Sequence, residues 1–126
     1  MSVPGLCVPQ PWVVVAEKER QALEAGDAIA RRLPRGYANL ADQLRRALLA
    51  AFLGIAEASS RSGPDRMARF RCARGEASEA AAALEAVQVL RLASDRDLEL
   101  VLTLLDRLCA MLTRLSGLSH KASTPR

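Results

Sequence analysis

Residues 33–75 read LPRGYANLADQLRRALLAAFLGIAEASSRSGPDRMARFRCARG, and the fold class follows from how this stretch is punctuated. Leu33 precedes Pro34, which disfavours the α conformation in the residue before it, so a helix must end there. Pro34-Arg35-Gly36 supplies turn chemistry. Asn39 is a good N-cap with Asp42 three residues on. The helix it opens runs to about Ser60. Within it Leu40, Leu44, Ala47, Ala51, Ile55 and Ala58 recur three and four apart, which is one buried stripe. Ser62-Gly63-Pro64 then breaks the pattern, and Pro64 suits a first helical position where its missing N–H costs nothing. Two helices joined by a short turn must pack side by side.

The same periodicity extends outward in both directions. A first helix spans 12–33, after an extended leader over residues 1–11 that holds three prolines and a glycine. A third helix runs from Pro64 to about Leu92, a length of about 40 Å. Its inward residues are Phe70, Ala73, Ala77, Ala80, Leu84 and Val87. Gly75 lies mid-helix at a cost of about 1 kcal/mol against alanine, which suggests the close approach of another backbone. Ser94 and Asp95 are caps for a fourth helix with Asp97 in its first turn. That helix ends near Leu115, before the natural stop Gly117. Its residues Leu98, Val101, Leu105, Leu108, Leu112 and Leu115 form a left-handed bundle seam. Residues 118–126 read as a flexible tail. The expectation is an all-α, antiparallel up-down-up-down four-helix bundle over residues 12–117. Composition agrees: Ala, Leu and Arg dominate, aromatics are only 3%, and an apolar share of 50% argues against disorder.

Helix 2 is apolar beyond its buried stripe. At 100° per residue Leu49, Phe52 and Leu53 fall opposite that stripe, and a four-helix monomer cannot cover them. Leu100, Leu104 and Met111 widen the apolar arc of helix 4 in the same way. A wet apolar patch of this kind marks an interface, so a homo-oligomer is expected, with Leu49, Phe52 and Leu53 in the contact. The competing explanation is that Leu6, Val8 and Trp12 of the leader fold back over helix 2.

Charge is unevenly placed. Residues 31–74 carry ten arginines against three acids, net +7 in a chain whose total is +4, while residues 75–113 sum to −4. Arg45, Arg46, Arg61, Arg66, Arg69, Arg71 and Arg74 are the candidates for contacts to nucleic-acid phosphates, which would be independent of sequence. The same arginines could instead pair with acidic helices within or between subunits. Arg71 and Arg74 share one flank of helix 3 and Arg69 points to the other, so not all seven can face one ligand. The aromatic interleaving of a base-stacking platform is absent: Phe70 reads as core and Tyr37 stands alone in a turn. Of the 18 basic residues 16 are arginine; this suits bidentate recognition of phosphate or carboxylate, but a GC-rich genome gives the same bias. Glu57 and Arg74 are expected to form a structural ion pair between helices 2 and 3, with Glu57 to Arg61 as the local alternative.

Nothing points to an enzyme, a metal or a cofactor. The single histidine, His120, lies in the tail, and there is no phosphate loop, no nucleophile elbow and no cluster at ligand spacing. Cys7, Cys72 and Cys109 are odd in number and far apart. With no secretory leader and no apolar run near the roughly 20 residues of a membrane span, the expectation is a cytoplasmic protein with reduced thiols and no membrane contact.

The order and spacing of several short runs resemble the four-helix bundle proteins related to the intervening-sequence protein of large-subunit ribosomal RNA genes. The matching residues are Leu33-Pro34, then Leu40-Ala41-Asp42-Gln43-Leu44-Arg45-Arg46-Ala47, then Ile55-Ala56-Glu57 and Arg61. Phe70, Ala73-Arg74-Gly75, Met111-Leu112 and Leu115 follow. The likeness covers about residues 23–115. In the family a Ser-Ile-Pro-Ala-Asn-like run precedes Ile-Ala-Glu-Gly; here those positions read Ala50-Ala51-Phe52-Leu53-Gly54, and Ala58 replaces the last glycine. What the resemblance implies is a bundle that assembles as a ring-like homopentamer. The family includes the accessory variability protein of diversity-generating retroelements, a basic pentameric barrel that binds a reverse transcriptase and nucleic acid. The function expected on this basis is that of a non-enzymatic, nucleic-acid-associated accessory protein whose partners are itself, RNA or DNA, and a reverse transcriptase. A protein–protein scaffold without nucleic-acid binding is the alternative.

Overall fold

The computed structural model describes residues 11–117. The leader over 1–10 and the tail over 118–126, with Cys7 and His120, lie outside the described residues. Four α-helices follow in order: α1 (Pro11–Arg31), α2 (Ala38–Ser59), α3 (Gly63–Val89) and α4 (Asp95–Leu115), with one 3-10 turn (Arg35–Tyr37) before α2.

Each helix packs against two others. The contacting pairs are α1 with α2, α2 with α3, α3 with α4, and α4 with α1. The bundle is therefore a square in which α1 lies diagonal to α3 and α2 to α4. Cross-helix contacts give the direction of each pair. Arg71 meets Ser116, Arg74 meets Thr113 and Ser78 meets Cys109. One number rises as the other falls, so α3 and α4 run antiparallel. Glu57 beside Arg69, and Gly54 beside Ala73, say the same of α2 and α3.

The helices end where local chemistry ends them. The Ser94 hydroxyl accepts from the Asp97 amide at 3.2 Å, the N-cap expected for α4. Gly117 takes φ +83° just beyond it, a conformation glycine adopts without penalty. Asn39 is not the cap of α2. The 3-10 turn runs straight into the helix, so Tyr37 holds the cap position with no side-chain bond and Asn39 falls inside the first turn. The α3 helix stops at Val89, three residues earlier than expected, and Arg91 turns the chain at φ +57°.

The core is the set of seams. All six inward residues expected on α3 are buried, as are five of six on α2 and on α4; Leu40 and Leu115 are only partly covered. The α1 seam is different. It runs Val15, Glu19, Ala22, Gly26 and Ile29, alternating four and three apart, and so carries a carboxyl, an alanine and a glycine where the other helices carry mostly leucine and alanine. Small residues let α1 come close: a Cβ at Gly26 would fall on Leu48 Cδ1. Gly75 has no such role, since nothing lies within 4 Å of where its Cβ would be.

Candidate functional site

The seven arginines do not make one patch. Arg45 and Arg46 sit in the first half of α2, with Arg45 Nε 2.9 Å from Asp27 of α1 and Arg46 3.5 Å from Asp42. Arg31 and then Arg45 hold the Asp27 carboxyl below its ordinary value. The other five gather at the opposite end of the bundle, where α2 ends and α3 begins.

At that corner four side chains interlock. Arg61 reaches Glu57 at 3.1 Å and Asp65 at 2.8 Å, and Arg69 lies 3.9 Å and 3.7 Å from the same two acids. Arg66 Nε donates to the Ala58 carbonyl at 3.2 Å, and Arg71 Nη2 to the Ser116 carbonyl at 3.1 Å. Both acceptors are at helix C-termini, where carbonyls lack intrahelical donors and partial negative charge collects. These two arginines thus stitch the ends of α2 and α4 to α3. Arg74 Nε donates to the Thr113 hydroxyl at 2.7 Å.

The expected Glu57–Arg74 pair is therefore not formed. The α2–α3 register puts Glu57 opposite Arg69, while Arg74 lies on the flank turned to α4. The divided flanks of α3 are as expected: Arg69 faces α2, and Arg71 and Arg74 face α4. Exposed pairs such as Arg61–Glu57 contribute little to stability.

The apolar residues of α2 divide too. Leu49 and Leu53 are 48% and 56% exposed and line a groove of about 900 Å³ between α2 and α3. Its α3 wall is Ala82, Ala83 and Ala86, and its charged rims are Arg46 on α2 with Glu76 and Glu79 on α3. Phe52 is not part of this groove. It is half-buried, 60° to 100° around the helix from Leu49 and Leu53 on the 100° wheel, on the flank it shares with Arg45 and hence turned to α1. Leu100 on α4 stays 57% exposed on another side of the bundle.

Among the described residues no three His, Cys, Asp or Glu side chains lie close enough to hold a metal ion. No described helix is long and apolar enough to cross a membrane. Cys72 is exposed and Cys109 half-buried, both as free thiols. Burial pushes the Cys109 thiol up, partly offset by the Ser78 hydroxyl 3.9 Å from its sulfur.

One group escaped the sequence reading. Glu19 is 0% exposed, and neither carboxyl oxygen has a hydrogen-bond partner among the described residues. Burial alone pushes its pKa up to about 8. The signal was present in the alternating four-and-three spacing of Val15, Glu19, Ala22, Gly26 and Ile29, which places a carboxylate on an inward seam.

No protein-family model matches the chain. The search of curated proteins likewise returned no match.

Proposed function

We propose that the chain is a non-enzymatic, self-associating helical bundle that serves as a scaffold for other macromolecules, and that copies dock through the α2–α3 groove. The observation that carries this is the pair Leu49 and Leu53, about half exposed beside a floor of alanines. Apolar area of this kind gains about 25 cal/mol per Å² when covered. The alanine wall lets a neighbouring helix approach closely. The resemblance to the four-helix bundle family supports a homopentamer. The test is light scattering of the wild type and of Leu53→Glu at micromolar concentration. A monomeric wild type would refute the proposal.

A second reading, an accessory protein that contacts RNA or DNA beside a reverse transcriptase, draws on Arg71 and Arg74. Each donates to a neutral oxygen, so neither charge is neutralised by its bond. A ring would repeat both guanidinium groups in every subunit and gain avidity. Binding of this kind weakens steeply with salt through counterion release. Titration against RNA and DNA at two salt concentrations, for wild type and Arg71→Gln/Arg74→Gln, decides it. No binding by wild type at low salt leaves the scaffold alone.

A further inference from the structure

The N-terminal half of α1 is held differently from the rest of the bundle. Among the described side chains its fully buried ones are Val15, Glu19 and Ala22, with Ala16 packed against the core, whereas the facing half of α4 presents Leu104, Leu105, Leu108 and Leu112. The ion pairs that tie α1 and the residue after it to other helices, Asp27–Arg45 and Arg32–Asp97, lie at its C-terminal end. Among the described residues, docking near the N-terminus rests on the apolar contacts of Val15, Ala16 and Ala22 and on a carboxyl with no donor.

The surroundings of Glu19 follow from the registers. Gly26 against Leu48 and Asp27 against Arg45 bring α2 residues 51–55 to its level, where the side chains turned to it are Ala51, Phe52 and Ile55. Arg45, the titratable group on that flank, is engaged two turns away with Asp27. From α4 the titratable group at this level is the Cys109 thiol, which feels the Glu19 charge, with Arg74 and Asp106 beside it. Arg107 is exposed on the flank of α4 turned to α1. On α1 itself Glu17 and Arg20 pair with each other in solvent, and Lys18 is half-buried. Among the described residues no cation donates to the Glu19 carboxyl.

We propose that Glu19 is a proton-controlled latch: α1 docks its N-terminal half only while this carboxyl is neutral, and loss of the proton releases that half from α2 and α4. A carboxylate in this position must either find water or be protonated, because an unpaired buried charge is not tolerated. Swinging α1 out about its C-terminal end, where the two ion pairs remain, gives it water without unfolding the other three helices. One proton separates the docked from the released form. Linkage then requires the opening equilibrium to rise about tenfold per pH unit between the ordinary glutamate range and the raised native value. Docking is thus firm in mildly acidic solution and weakens toward mild alkalinity, where the inner faces of α2 and α4 would become accessible.

The experiment is hydrogen exchange read by mass spectrometry on the full chain from pH 5 to pH 8, corrected for intrinsic exchange rates. In wild type, peptides from the first half of α1 should lose protection about tenfold per unit and remain far less protected than peptides from α3 and the middle of α4 at every pH. Glu19→Gln and the apolar near-isostere Glu19→Met should both abolish the slope; the second serves if a buried amide proves unstable. A flat wild-type profile overturns the latch. So does an equal slope in both variants. Equal absolute protection of α1, α3 and α4 at every pH also overturns it, because α1 would then open only when the whole bundle unfolds.

Discussion

Three glycines lie inside helices of this bundle, and replacing each by alanine should give three different results. Alanine in a helix interior is favoured over glycine by about 1 kcal/mol, so an unobstructed site should gain that amount. Gly75 is such a site, with nothing within 4 Å of a Cβ. Gly54 is intermediate: its Cβ would lie 3.4 Å from Ala73 Cβ, at the edge of ordinary contact, and a small gain or none is expected. At Gly26 the new methyl falls on Leu48 Cδ1. Leu48 is fully buried and cannot swing into solvent. Forcing a methyl into a packed core costs about 1–3 kcal/mol, so after the helix gain the net loss should be up to about 2 kcal/mol. Thermal unfolding followed by circular dichroism resolves these differences, since 1 kcal/mol moves the midpoint by roughly 4–8 °C in a domain near this size. The order should be Gly75→Ala above wild type, Gly54→Ala near it, and Gly26→Ala below. If Gly26→Ala gains as much as Gly75→Ala, Gly26 does not face Leu48 and the α1–α2 packing is wrong.

Further outcomes can be checked alongside. Leu49→Ala/Leu53→Ala should weaken assembly about 30-fold by sedimentation, from about 1 kcal/mol for the exposed half of each leucine, while helix content stays unchanged. Glu19→Met should raise stability at pH 7 by about 3 kcal/mol in urea titrations. The sign follows from a native pKa raised to about 8: the wild type keeps its full stability below the unfolded glutamate value and loses it as pH climbs through 8, so the gain from Met should vanish near pH 4. Equal gains at pH 4 and pH 7 would assign the effect to packing instead. Replacing Cys72 by serine should change neither fold nor assembly, whereas Cys109→Ser should lower the melting point because its thiol is half-buried.

What could be read from the sequence was the angle of each residue about its own helix. That angle made Phe70 through Val87 an inward seam and set Arg69 apart from Arg71 and Arg74. Periodicity does not carry the register between helices, and the missed features are those that depend on it. Glu57 meets Arg69 rather than Arg74 because of how far α2 is displaced along α3. Gly26 and Gly75 look alike in the chain; only the neighbour at each level separates a clash from open space. Phe52 was grouped with Leu49 and Leu53 by treating the outer face as one patch, when it spans flanks turned to different helices. Asn39 lost its cap because a 3-10 turn, a local hydrogen-bonding choice, entered the helix first.

The square packing has a topological consequence. With α1 antiparallel to α4, the beginning of α1 and the end of α4 lie at one end of the bundle, beside the α2–α3 turn and its arginines. A fluorophore or affinity handle joined directly to residue 11 or residue 117 would therefore crowd that corner and confound any measurement of what the arginines bind. The α3–α4 turn around Arg91 is at the far end, away from both the corner and the middle of the groove. Joining residues 117 and 11 with a short linker and reopening the chain at that turn should give a circular permutant with the same bundle. Its new termini would point away from the arginines, leaving that end of the molecule open to whatever it meets.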